Sequence, residues 1–388
     1  MLKKADNATV AGLMWVLFTI GFLAFLIWFN ATLSYPLPGD AQVDNRYERA
    51  VVVKIVSDTL TEDPDFPDIR IGTQELEMEI LTGPDKGKRV LLNNFVTRTD
   101  NKPAKVGTKM IAQSYDGFDT GMISSYSREV PVYVLGLIFF ASVAIIGKRK
   151  GLKAIFALAF TLLCVLFLFV PLLLRGVNPV VAAGIVVILS AAVTLLALNG
   201  LSPKTMIAGI SCILCTFAAG GIAFAFGAFT NLSTYNTPET EHLIFIAQNT
   251  ALSIHDILFA GILIATSGAM MDTTMSLASA LVELKALNPE MTVGQILRSG
   301  MNIGRDIMGT MTNTLILAFT GSGINSLLVI FLYNMPYKRI INMDLLMLEI
   351  MKGLSGSIAI VLSIPITAIL AARILRSPSA ADRGGFEK

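Results

Sequence analysis

Apolar residues gather along this chain in blocks as long as a bilayer is thick. They fall at about 10–30, 130–147, 153–174, 178–199, 204–229, 251–275, 307–333 and 353–375. A helix needs about 20 apolar residues to cross the hydrocarbon layer, so the pattern predicts eight transmembrane helices. The second block stops sharply at Gly147-Lys148-Arg149-Lys150. Only Arg175 to Asn178 separates the third block from the fourth, and Pro179 opens the next helix, which predicts a tight hairpin.

Between the first two blocks the period changes. Leu76, Met78 and Ile80 alternate with Glu75, Glu77 and Glu79, the signature of a half-buried strand. Similar runs begin at Arg49, Lys88 and Thr108. Pro36, Pro38 and Gly39 turn the chain out of the membrane, Gly83-Pro-Asp-Lys-Gly reads as a hairpin turn, and Asp58 to Arg70 as a polar loop. Four or five short strands predict a small closed barrel, OB-like or similar. The predicted fold is a membrane all-α bundle with this extracytoplasmic β domain between its first two helices. Its parts are an anchor over 1–34, the β domain over 35–129, seven helices over 130–376 and a tail over 377–388. The β domain has mixed charges and no aromatic platform, so it reads most simply as a module that shapes or caps the membrane part.

Composition agrees. Of the 388 residues 54% are hydrophobic and only 15% charged, against about 25% charged in soluble domains. A net charge of +2 gives no case for nucleic acid; the lipid bilayer is the partner that composition implies. The placement of cations then orients the chain. Lys3 and Lys4, the cluster Lys148 to Lys153, then Lys204, Lys285, Arg298 and Arg305, and finally Arg373 to Lys388 fall on one side. By the positive-inside rule both termini are cytoplasmic and residues 35–129 lie outside a cell membrane. The first block, at about 20 residues, is long for a signal peptide and reads as an uncleaved anchor.

Cys164, Cys212 and Cys215 all sit in apolar runs, so the CxxC of Cys212 and Cys215 reads as packing rather than redox chemistry. His242 and His255 have no ligand-like spacing, and no metal or cofactor is expected. No nucleophile elbow or phosphate loop points to an enzyme. Pro171 and Pro365 are candidate kinks, the small residues of 218–229 suggest close helix packing, and Glu349 with Asp344 reads as a solvated collar.

The unusual chemistry lies in the sixth and seventh blocks and the loop between them. Asp272, Ser276, Ser279 and Glu283 share a helix face, with Thr273 and Thr274 beside it. Asn302, Asp306, Gly309 and Asn313 share another, flanked by Arg305, Thr310 and Thr312. Asp256 lies about 24 Å from Asp272 along the same helix and turned about 160° away, a separate outer position. Such groups in hydrocarbon must pair with one another or line a wet path. Two readings follow. Asp272 near the cytoplasmic end is a titrating group, Arg305 its partner, and Asp306, Thr312 and Asn313 a polar path for ions. Alternatively Asp272 and Arg305 form a structural ion pair, and Asp306 caps the start of the seventh helix.

The segments GAMMDTTMSLASALVEL (268–284), SGMNIGRDIMGTMTNTLILAFTG (299–321) and ILTGPDKGKRVLLNN (80–94) resemble the YibE/F family of multi-pass bacterial membrane proteins. The resemblance covers the whole chain and implies its topology more than its chemistry. The Gly268-to-Asp272 segment with its hydroxyls, followed by a helix rich in Thr, is also similar to the last spans of SecD/SecF and the wider RND permeases. That similarity implies a proton-responsive region at Asp272 and the Arg305, Thr310 and Thr312 face. The expected function is a transporter or export-associated permease, with a non-transporting scaffold or accessory subunit as the alternative. A homo-oligomer or a paralogous YibE/F subunit is the expected protein partner.

Overall fold

The computed structural model describes residues 2–33, 46–114, 118, 121–232, 235, 240–248, 250–254 and 256–376. The turn at Pro36 to Gly39, His255 and the tail over 377–388 lie outside the described residues. Two compact units divide the chain, Pro36–Ser142 and Met1–Tyr35 with Val143–Lys388.

The first unit is a closed barrel. Its strands are β1 (Arg46–Asp58), β2 (Thr61–Glu62), β3 (Arg70–Ile80), β4 (Arg89–Val96), β5 (Lys109–Ser114) and β6 (Gly121–Tyr126). The order β1-β5-β6-β4-β3 closes through a β3–β1 pairing, and β2 adds to β3. All pairings are antiparallel except β4–β6. Leu76, Met78 and Ile80 are fully enclosed, as their alternation predicts, with Val52, Met110 and Ala112 opposite them. Gly83 takes φ +73° in the hairpin turn, where a side chain would also strike Glu48.

The loop before β3 is more than polar connection. Asp63 is buried and accepts hydrogen bonds from Arg98. Arg98 also reaches Asp65 at 2.6 Å and stacks over Phe66. Its guanidinium holds the Asp63 carboxyl below the ordinary value of 3.8. Inside the barrel, the Gln74 Oε1 accepts from Asn94 and from the Ala104 backbone, while its amide donates to Asp58.

The second unit is helical. Its elements are α1 (Leu2–Ala31), α2 (Glu129–Cys164), a π-helical turn (Val165–Phe169), α3 (Val170–Leu174), α4 (Pro179–Asn199), α5 (Pro203–Thr230), α6 (Thr240–Ala247), α7 (Ile257–Leu287), α8 (Val293–Ser322), α9 (Ile324–Leu332), α10 (Tyr337–Ile340) and α11 (Asp344–Ile374); α2 begins in the first unit. Among the described residues five segments are long and apolar enough to cross a membrane, and a sixth counts if α8 and α9, bent 64° apart, form one span. The sequence predicts eight. The difference arises because Glu129–Leu174 runs on as one stretch interrupted only at Lys148, whose φ of 47° and ψ of −128° leave the helix. Of α1 only Leu17–Ala31 enters that count, although its apolar block begins at Val10.

Pro171 has no N–H, so it gives no helical hydrogen bond to the turn before it. Asn30 of α1 donates to Phe167 O in that turn at 2.9 Å. Arg175 fastens the same helix end, donating to Phe29 O at 2.5 Å and lying 3.8 Å over the Phe29 ring. Pro365 lies inside α11 without ending it. The centre of the bundle is α7, packed against α4, α5, α8 and α11. The run of small residues in α5 does what its composition predicts: a Cβ at Gly220 or Gly227 would meet Leu263 or Phe259 of α7 at 2.5 Å.

Candidate functional site

The helix limits move the polar residues to a different depth. The predicted spans 251–275 and 307–333 put Asp272 near a helix end and Asp306 at a helix start. Instead α7 runs to Leu287, which makes Asp272 its midpoint. The helix α8 starts at Val293, capped by a Thr292–Gln295 capping box, so Asn302, Arg305 and Asp306 are interior and Asp306 is not a cap.

Packing against α11 fixes how deep they lie. A Cβ on Gly304 would come 2.2 Å from Ile364 Cγ2, and one on Gly300 2.8 Å from Ala368 Cβ. Further along, Leu315 fills the space beside Gly356. Thus α8 lies flat along α11 over most of its length. Between Lys352 and Arg373, α11 carries no charge. Ile364 lies about 18 Å from the first and about 13 Å from the second at 1.5 Å per residue. Arg305 and Asp306 follow Gly304 directly, so they stand near the middle of this uncharged run. Met270 joins Met311 and Ile360 in one cluster, which brings Asp272 to a similar level.

The side chains at that level do not pair. Among the described residues neither Asp272, Arg305 nor Asp306 has an ion-pair partner. The expected Asp272–Arg305 bridge is therefore absent. Arg305 reaches only Asn302 Oδ1, at a long 3.4 Å. Asp272 and Ser276 are exposed, on a stripe of α7 that continues through Gly268, Ala265 and Gly261. Asn302, Arg305, Asp306, Gly309, Thr310 and Asn313 are all exposed on α8. A charge at the centre of a span costs about 2.5–3.5 kcal/mol on insertion scales, which makes three without an ion-pair partner among the described residues unusual.

The hydroxyls divide. Thr273 is buried and donates to Ala269 O, and Thr310 donates to Ile307 O, so both satisfy themselves within their helices. Thr312 Oγ1 is enclosed with no hydrogen-bond partner. Asp256 stands apart at the start of α7, where Asn178 donates to it at 3.0 Å while capping α4. It stands at the N-cap of α7, whereas Asp272 lies at the middle of the same helix.

Sequence reasoning misses two features. Ser211 of α5 and Ser357 and Thr367 of α11 are buried hydroxyls without hydrogen-bond partners among the described residues, invisible in sequence because single hydroxyls are ordinary in apolar helices. The second is a cleft of about 290 Å³ in the crook between α8, α9 and α11, lined by Phe319, Thr320, Leu345, Glu349 and Gly353. Glu349 there accepts from Lys352 at 2.8 Å and from Ser322 at 3.4 Å. Asp344 is exposed, whereas Glu349 is thus half-buried at the edge of this cleft. The i, i+3 spacing of Glu349 and Lys352 is the signal that could have found it. The three cysteines are all buried and free, with Cys212 Sγ lying 3.8 Å from Ser267 O.

No curated protein and no solved structure is significantly similar to this chain, so the likeness to SecD/SecF and RND permeases rests on residue pattern alone. Residues 135–377, the helical part with Asp272 and the whole of α8, match the family model described as YibE/F-like protein. The chain belongs to the YibE/F-like family, and its apolar helices make it a membrane protein.

Proposed function

We propose that this protein is a membrane permease coupled to an ion gradient through Asp272. The observation that carries the reading is a carboxylate at the midpoint of the central helix with no ion-pair partner among the described residues. A carboxylate locked to Arg305 would be structural; a bare one is able to take up and release a proton or cation. Ser276 and Ser279 extend the same face toward the end of α7. Thr312 and Asn313 supply further oxygens from α8, at a neighbouring level. This reading assigns the chain no catalytic step, cofactor or nucleic-acid partner.

The topology behind the reading has eight crossings: α1, the two parts of 129–174 either side of Lys148, α4, α5, α7, the α8–α9 pair and α11. An even number puts both termini on one side, and the distribution of Lys and Arg makes that side cytoplasmic. The barrel, which we read as OB-type from its strand order and its single parallel pair, then lies outside the cell membrane. Transport is tested in proteoliposomes under an imposed proton or sodium gradient. Wild-type protein carries a flux and Asp272→Asn abolishes it while inserting and melting normally. Full flux in the Asn variant sinks the proposal.

One observation favours a second reading, an accessory subunit acting through the barrel. Leu91 and Phe95 are 55% and 54% exposed on the outer side of β4, and Met122 lies beside Asn93 between them. An apolar patch of this kind suits a protein partner. Deleting residues 45–125 then removes function, whereas Asp272→Asn does not.

A further inference from the structure

We infer that the polar face of α8 is a self-complementary interface, covered in the membrane by the same face of a second copy of this chain. The inference does not depend on transport.

The face is built from one helix with two different sides. On the inner side Gly300 and Gly304 are filled by Ala368 and Ile364 of α11. On the outer side Gly309 has nothing within 4 Å of where its Cβ would stand. That glycine offers a close approach the chain itself leaves unused. Asn302, Gly309 and Asn313 form the midline of the outer face, Gly309 and Asn313 each about 20° from Asn302 on opposite sides at 100° per residue.

The two charges flank that midline. Arg305 lies about 60° to one side of Asn302 and Asp306 about 40° to the other, at heights differing by about 1.5 Å. Residues at i and i+1 do not face each other on a helix, so this cation and anion do not satisfy one another within the chain. Copies of a membrane protein insert the same way round. A two-fold axis between them therefore runs along the membrane normal and sets their α8 helices parallel. In that arrangement the Arg305 flank of one helix lies beside the Asp306 flank of the other, and the reverse pair forms on the opposite side. Two charge pairs thus close at one depth around a narrow midline of Asn and Gly. A polar midline residue of this kind also sets register between parallel helices.

The partner's identity follows from the charge pattern: a face with one cation and one anion at the same depth on opposite flanks is complementary to itself. The test uses the full-length chain carrying either of two tags, co-expressed and captured through one of them from lipid nanodiscs. Arg305→Asp alone places two carboxylates on every copy, and Asp306→Arg alone places two guanidiniums. Each variant expressed by itself loses self-capture about tenfold or more, because like charges then oppose each other across the axis. Co-expression of tagged Arg305→Asp with differently tagged Asp306→Arg restores capture between the two, since each copy supplies what the other lacks. A purely structural role within one chain predicts no such rescue by mixing. Oxidative cross-linking gives a second measurement should the charge variants fail to insert. Gly309→Cys forms a disulfide-linked dimer, whereas Ile358→Cys, exposed on α11, does not. Wild-type self-capture in both charge variants, failure of the inserted mixed pair to associate, or a Gly309→Cys chain that stays monomeric or cross-links only to another protein overturns the inference.

Discussion

Polar residues are buried or placed at depth in both units of this protein, and the two units treat them in opposite ways. In the barrel, buried Asp63 holds Arg98, and Gln74 bridges Asn94, Ala104 and Asp58. In the helical unit Asp272, Arg305 and Asp306 stand level with uncharged helix and have no ion-pair partner among the described residues. A polar group without water is satisfied by the fold or by something the fold meets. The barrel satisfies its buried carboxylate and bridging amide from within. The α7–α8 pair does not pair its charges among the described residues.

The largest test of this contrast concerns the two sides of α8. Gly304→Leu forces a side chain into Ile364 and is expected to destabilise the bundle by about 3 kcal/mol or more. Gly309→Leu meets open space and leaves the melting temperature of a monomer in detergent unchanged. Equal losses in the two variants, read by thermal melting, would erase the distinction between a used face and an unused one.

A smaller effect is expected in the barrel. Gln74→Ala leaves the Ala104 N–H and the Asn94 amide without their acceptor, at a cost of about 1–3 kcal/mol. Hydrogen exchange in the full chain should show the loss confined to β3, β4 and the 102–108 segment. Spread into α7 or α8 would contradict the self-contained barrel.

The Asp63–Arg98 pair gives a pH signature. Its carboxyl is held below 3.8 by the guanidinium, so the stabilisation is fully present above that value and lost as pH falls through the lower, folded one. Amide protection of Asp65 and Phe66, whose N–H groups donate to Asp63, should therefore hold from neutral pH down to about 4 and collapse only below it. In Arg98→Gln the collapse moves to higher pH. Loss of protection near neutrality in the wild type contradicts the assignment.

The smallest effect is expected at the CxxC. Cys212→Ala and Cys215→Ala each remove one buried sulfur from a packed helix. Stability should change by about 1 kcal/mol, equally under reducing and oxidising conditions. A difference between the two conditions would revive a redox role.

Legibility followed the physics of each region. Period-two alternation announced β3 because one face of that strand is enclosed and the other is not. By contrast β6, Gly121-Met-Ile-Ser-Ser-Tyr, carries two serines and little alternation, so its place in the barrel comes only from pairing with β5 and β4. The faces Asp272-Ser276 and Asn302-Asp306-Gly309-Asn313 were readable as helical spacing, and both are exposed stripes in the fold. Their depth was not readable. The polar start of α8 lowers its hydropathy, so an apolar window places the helix about one half too late.

The sequence by itself determined that this is a membrane chain with a β module near its start, which residues share a helix face, and its resemblance to the YibE/F family. Those properties are local: they follow from apolar length, from periods of 2 and 3.6, and from contiguous motifs. Only the tertiary structure decided that Asp272 and Arg305 do not pair, that Asp306 stands mid-helix beside α11, and that Gly304 is used where Gly309 is free. Those properties depend on which helix lies beside which and at what height. In this bundle that is set by small residues, Gly300 against Ala368 and Gly356 against Leu315, whose meaning no single helix reveals.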